Sequence, residues 1–312
     1  MRRFLIFLVV LAVAGGAGFW FLTEPTVWRA VRVHGTDEPS RGVRNLTNGE
    51  ELFWAGGCPA CHLSPGQDDR TRLGGGTPLP SPFGTFYPPN ISSDPKDGIG
   101  AWSQADFIRA MREGVSPDGR NYYPAFPYTS YQHMTASDLA DMFAFMQTLP
   151  AVQGRAPDHD LPFPFNLRRG VGLWKLAFLS GEPIRPQEGK SPAWNRGRYL
   201  VEGPAHCAEC HSRRGFAGNV IAGTRFGGGP NPEGKGTVPN ITPDPTGIGG
   251  WSANDIAELL KSGFTPEYDA VGGSMAPVVK NTAHLTDADR AAMAEYLKSV
   301  PPVASEKKKA AE

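Results

Sequence analysis

Behind Arg2 and Arg3, every position from Phe4 to Leu22 is apolar or glycine, an unbroken hydrophobic run. Nineteen residues of helix at 1.5 Å each reach about 29 Å, close to the ~30 Å of bilayer hydrocarbon. The pattern predicts a membrane-spanning helix within residues 1–24. Its two arginines place the N-terminus on the cytoplasmic side, with Phe19, Trp20 and Phe21 at the far interface. A cleaved signal peptide is the competing reading, because Ala12-Val13-Ala14 is a small-residue cleavage site. Both readings export the rest of the chain.

Past this run the apolar stripes are short, have helical spacing and occur twice. Leu52 and Phe53 in one copy, and Tyr199 and Leu200 in the other, mark a first amphipathic helix. Ser103 with Asp106, and Ser252 with Asp255, read as capping boxes. They open a second helix whose face is Phe107, Ile108 and Met111 in one copy and Ile256, Leu259 and Leu260 in the other. Gly114 and Gly263 close it. Thr135 with Asp138, and Thr286 with Asp289, open a last helix that ends before Pro150 and Pro301. No stretch sustains period-2 alternation, so the expected fold class is all-α.

The repeat is also literal. Pro89-Asn90-Ile91 recurs as Pro239-Asn240-Ile241, and Gly98-Ile99-Gly100-Ala101-Trp102-Ser103 as Gly247-Ile248-Gly249-Gly250-Trp251-Ser252. Two similar domains follow, at 41–150 and 193–303. With 38 glycines and 30 prolines in 312 residues, long loops must surround these short helices. Three short helices per domain make a thin core that a large apolar cofactor would complete. Lys plus Arg equals Asp plus Glu at 31 each, so no net field draws the chain to nucleic acid, and none is expected as a partner.

All four cysteines lie in two C-x-x-C-H frames, Cys58-Pro-Ala-Cys61-His62 and Cys207-Ala-Glu-Cys210-His211. In an exported chain four cysteines would ordinarily suggest two disulfides. A histidine directly after each pair points instead to c-type haem: two thioethers to the vinyl groups, and an adjacent imidazole on the iron. A thioredoxin-like pair wants a βαβ context that is missing. One shared zinc wants ligand pairs closer in sequence.

For the sixth ligand of the second haem, Met275 stands in Gly272-Gly273-Ser274-Met275-Ala276-Pro277, off any apolar helical stripe; the bland alternative is a methionine filling a core gap. The corresponding stretch of the first domain, Tyr123-Pro124-Ala125-Phe126-Pro127-Tyr128, has no methionine. Met134 is the choice there, with His133, another methionine or an open site as alternatives; Met134 also suits a helix-start staple. Asn90 and Asn240 read either as haem-edge donors or as turn holders, and Trp102 and Trp251 either as propionate donors or as packing. Gly74-Gly75-Gly76 and Gly227-Gly228-Gly229 read as loops.

These motifs, with Pro-Asn-Ile-(Ser/Thr)-x-Asp, Tyr-Pro-Ala-Phe-Pro-Tyr and the run Asn195 to Gly203, resemble one family. It comprises the dihaem and trihaem cytochrome c subunits that accompany exported, membrane-bound dehydrogenases of alcohols, aldehydes and N-heterocycles. The resemblance runs from about Arg41 to Val303. It implies two tandem class I cytochrome c domains, each carrying covalent haem c with a His/Met iron. It also implies electron flow from a dehydrogenase catalytic subunit toward quinone or a terminal oxidase. Two departures stand out: these 312 residues hold two haem frames where trihaem members carry three, and Phe126 occupies a position where many members carry methionine. The expected place is the bacterial inner membrane with the haem domains on the periplasmic side, or the soluble periplasm after cleavage. An open site at haem one would instead suit a peroxidase-like or thiosulfate-oxidising enzyme. Residues 151–192 carry Phe163, Phe165, Trp174 and Phe178, too aromatic for a flexible linker, and are expected to dock as a connector, with a surface helix that binds a partner as the alternative. Residues 304–312 are expected to be a disordered tail.

Overall fold

A computed structural model describes residues 1–32, 37–40, 42–232, 234 and 236–305. Most of the expected tail, from 306 on, lies outside the described residues. The apolar run forms α1 (Arg2–Leu22), with no buried residue and a length and composition that would cross a bilayer. A short helix α2 (Pro25–Arg32) follows and buries Trp28.

The first domain contains α3 (Leu46–Ala55), α4 (Cys58–His62), α5 (Gln104–Glu113), α6 (Tyr128–Tyr131) and α7 (Ala136–Met146). After the connector helix α8 (Val171–Phe178), the second domain repeats the order with α9 (Pro192–Glu202), α10 (Cys207–Cys210), α11 (Ala253–Ser262), α12 (Met275–Thr282) and α13 (Asp287–Leu297). Both capping boxes form as the spacing predicts, and Gly114 and Gly263 end their helices in the left-handed conformation, at φ 60° and 83°. Thr135 and Thr286 accept from the amides of Asp138 and Asp289.

Two features escape a periodicity reading because they are too short to show a period. The first is a pair of antiparallel ribbons, β1 (Leu79–Ser81) with β2 (Gly84–Phe86), and β3 (Gly229–Pro230) with β4 (Thr237–Val238). The second is the short helices α6 and α12, so Met275 is the first residue of a helix rather than a loop residue.

In each domain the first and last helices cross where a glycine removes the side chain. A Cβ on Gly49 would lie 2.2 Å from the Asp141 carbonyl oxygen, and one on Gly197 only 1.9 Å from that of Ala292. These two glycines are 148 apart, whereas the cysteines are 149 apart, so the second copy carries one extra residue between crossing and cysteine. The buried pair is therefore Leu52 and Phe53 in α3, but Leu200 and Val201 in α9. Tyr199, read from the sequence as part of that apolar face, turns instead to the first domain. Its hydroxyl donates to Asp138 Oδ2 at 2.5 Å and accepts from the Thr135 amide at 3.1 Å.

The connector is tied to both domains through α8. Lys175 of α8 is fully buried and donates from Nζ to the Gly114 carbonyl and to Asn121 Oδ1, both at 2.7 Å. Trp174 donates from its indole to the Ala217 carbonyl of the second domain at 2.9 Å. Trp28, Tyr128 and Leu179 make a small third core between α2, the first domain and the connector.

Candidate haem sites and the contact between them

The attachment turns begin at a left-handed residue, Gly57 at φ 67° before Cys58 and His206 at φ 40° before Cys207. Cys58 packs against the first core and Cys207 against the second. Burial pushes both thiols up to about 12. No disulfide joins the four cysteines.

The imidazoles share one arrangement. His62 Nδ1 lies 2.7 Å from the Pro89 carbonyl, and His211 Nδ1 lies 2.8 Å from that of Pro239. A carbonyl only accepts, so Nδ1 carries the proton and Nε2 keeps its lone pair for a metal. Burial also pushes His62 down to about 4 and lowers His211, which keeps both rings neutral. This explains the repeated Pro-Asn-Ile: its proline carbonyl orients the ring. The glycine clusters close the same loop, since Gly75 and Gly228 donate their amides to the carbonyls of His62 and His211, each at 2.9 Å. At φ 68° and 75°, with neighbouring carbonyl oxygens 2.3 and 2.7 Å from a virtual Cβ, neither position accepts a side chain.

Asn90 and Asn240 are turn holders. Their oxygens accept from the amides of Ser92 and Thr242, and their Nδ2 groups pin the segment after the last helix through Val152 and Val303. Trp102 and Trp251 pack against the two cores. Met275 is half-buried against the second core; Met134 is fully buried in the first, with its Cγ 3.7 Å from where a Cβ on Gly203 would stand. Phe126 packs between the first core and the connector.

Sequence reading missed how the two copies meet. The segment between middle and last helix of each domain lies on the attachment region of the other. Thr129 and Ser130 of α6 donate to Glu209, which stands between Cys207 and Cys210, at 2.5 and 3.1 Å. Burial alone would raise Glu209, but Arg214, 2.7 Å away, and these hydroxyls hold its carboxyl below the usual range. In the reciprocal position α12 packs on α3 and α4, and Arg70 donates to Asn281. His284 stacks on Trp54 at the end of α3, with centroids 3.7 Å apart, while His133 lies beside Gly203 at the end of α9. Such i-to-j, j-to-i contacts define a self-complementary interface of two like units. At its centre a Cβ on Gly57 would be 3.5 Å from His206 Nε2, so the residues preceding the two first cysteines touch. Tyr131 packs edge-on to His206, centroids 5.7 Å apart, and donates to the Gly56 carbonyl at 2.7 Å.

Two thiols and a neutral, carbonyl-oriented histidine on one turn, twice, form the donor set of covalently held haem c. Among the described residues no group of three His, Cys, Asp or Glu side chains is placed to hold one metal ion. Fold and sites together define a tandem-domain, dihaem c-type electron-transfer protein. Residues 46–150 and 195–301 match the cytochrome c family, and the chain belongs to it. A diheme cytochrome c-type protein of Cereibacter sphaeroides is 50% identical over 308 residues, 97% of this chain and 100% of that one. The fructose dehydrogenase cytochrome subunit of Gluconobacter japonicus is 37% identical over 287 residues, and the cytochrome c subunit of the quinone-type alcohol dehydrogenase of Gluconobacter oxydans 39% over 270. The matches take in 89% and 83% of this chain but only 55% of each of those two proteins.

Proposed function

We propose that the chain is the membrane-anchored electron-transfer subunit of a periplasmic-side dehydrogenase, taking electrons from a catalytic subunit and delivering them toward quinone or a terminal oxidase. Bound haem supplies a one-electron iron couple at each site. The polypeptide would fix the two sites relative to each other through the Gly57–His206 contact. Cys58, Cys61, Cys207 and Cys210 would carry the thioethers, and His62 and His211 would offer their Nε2 atoms to the irons. Met275, at the start of α12, and Met134, just before the last helix of the first domain, would be the methionine ligands offered to the two irons. The relatives named as dehydrogenase subunits support the donor side. The observation that carries the reading is the Gly57–His206 contact, which sets the attachment turns back to back.

Tagged full-length chain, purified from its own membranes in mild detergent, tests this. A dehydrogenase subunit should co-purify, and its substrate should reduce both haems. Carbon monoxide should leave the reduced spectrum unchanged. A chain that arrives alone and binds carbon monoxide at haem one would replace this reading with the haem-enzyme alternative.

A further inference from the structure

Among the described residues, twelve large hydrophobic side chains beyond α1 are exposed, and seven of them fall in two short segments. Phe163, Phe165, Leu167, Leu173 and Phe178 belong to the connector, and Phe216 and Ile221 to a loop of the second domain. The segments touch: Trp174 bonds the Ala217 carbonyl, and Phe165 meets Phe83, whose ring lies 3.3 Å from a Cβ placed on Gly218. So large a share of the apolar exposure on one contiguous surface marks a binding face rather than scattered surface residues.

Its position points to the occupant. Arg169 lies over the Trp20 ring of α1 at 3.5 Å, donates to the Trp20 carbonyl at 2.7 Å and pairs with Glu24 at 2.8 Å. A Cβ on Gly172 would strike the backbone of Thr23 at 2.5 Å, so the start of α8 lies directly on the end of α1. Leu167 is two residues from Arg169, and Leu173 is one from Gly172. At no more than ~3.6 Å per residue, both must lie close to where α1 leaves the bilayer. Of the arginines in these segments, Arg169, Arg214 and Arg225 pair with Glu24, Glu209 and Glu202 and Arg168 lies over the Tyr123 ring, so the face is charge-compensated and its exposed apolar side chains beside the end of α1 carry the argument. Exposed phenylalanine, leucine and isoleucine side chains gathered beside the exit of an apolar helix are the composition of a surface that lies in the interfacial layer of a bilayer.

We propose that this face, the connector with the 216–221 loop, rests in the bilayer interface as a second membrane contact beside α1. The haem domains would then be held at a fixed height and tilt over the lipid. The proposal rests on the reading that α1 is retained as an anchor, and its test separates the two.

Full-length dihaem protein would be reconstituted into vesicles of phosphatidylcholine and phosphatidylglycerol. Single spin labels would be placed through Phe163→Cys, Leu167→Cys or Phe216→Cys on the face, Val10→Cys in α1, and Tyr268→Cys on exposed second-domain surface; unaltered haem content checks each variant. Collision with oxygen and with a water-soluble nickel complex reports depth. The expected result is a Val10 label in the hydrocarbon, face labels at the interface with nickel accessibility about threefold below that of the Tyr268 label, and the Tyr268 label in water. Face labels as accessible as the Tyr268 label, with the Val10 label deep, overturn the proposal and leave the anchor standing. A face whose labels become shielded only when a dehydrogenase subunit is added is a protein-docking face, and this too overturns it. A Val10 label in water with interfacial face labels removes the anchor but keeps the membrane contact. All labels in water removes both.

Discussion

Replacing Gly197 with alanine tests whether the helix crossing holds the second domain together. A Cβ there would stand 1.9 Å from the Ala292 carbonyl oxygen, and contacts below 3.0 Å do not persist, so α9 and α13 must part by roughly 1.1 Å. A gap of that size forfeits up to about half the dispersion well of the atoms that line it. The affected side chains are Leu200, Val201, Met293, Tyr296 and Leu297, all buried. At about 0.5–1 kcal/mol for each loosened side chain the cost is about 3–5 kcal/mol, above the roughly 1–3 kcal/mol typical of overpacking because the clash is with backbone. Alanine's better helix propensity returns about 1 kcal/mol, so the net loss is about 2–4 kcal/mol. For a domain of this size that lowers Tm by about 10–20 °C. Thermal and guanidinium unfolding of the dihaem protein, followed by far-ultraviolet circular dichroism and the Soret band, measures it. Gly170→Ala is the control, because that residue has φ −59° and nothing within 4 Å of its virtual Cβ; it should be neutral or slightly stabilising. A Gly197→Ala protein that melts with the wild type would show that the close crossing does not hold the domain together.

Three further outcomes are expected. His206→Gly should relieve a left-handed backbone at about 1–2 kcal/mol while losing the Tyr131 ring contact at about 0.5–1.5 kcal/mol. Stability should therefore change little while electron exchange between the haems slows in flash photoreduction; unchanged exchange would remove His206 from the route. Burial lowers Lys175 from 10.5 to about 7, with Glu113 opposing. Between those values the unfolded chain holds a proton that the folded chain has released. Stability should rise with pH across that window by a few kcal/mol, and Lys175→Met should flatten the slope, as paired unfolding curves from pH 7 to 10 would show. Met275→Ala should open the second haem to carbon monoxide and lower one of the two midpoint potentials, leaving the other in place; a spectrum indifferent to the substitution would assign the ligand elsewhere.

Much of this protein can be read from local pattern. The capping residues Ser103, Ser252, Thr135 and Thr286 are legible because a cap involves atoms only three residues apart. The C-x-x-C-H frames are legible because haem attachment needs its thiols and imidazole on one turn. The apolar run to Leu22 announces its helix by length alone. What escaped depends on distance in sequence. That Asn90 pins Val152, and that the Pro89 carbonyl orients His62, follow only once the loop folds back over the attachment turn. The one-residue shift between Gly197 and Cys207 is invisible until the helix crossing fixes which side chain points inward, and it turns Tyr199 from core to interface. Above all, the reciprocal contact that sets Gly57 against His206 joins residues 149 apart. Helix caps and attachment frames are dictated by neighbours along the chain, but the orientation of two like domains is chosen by complementarity of surfaces that exist only after each has folded.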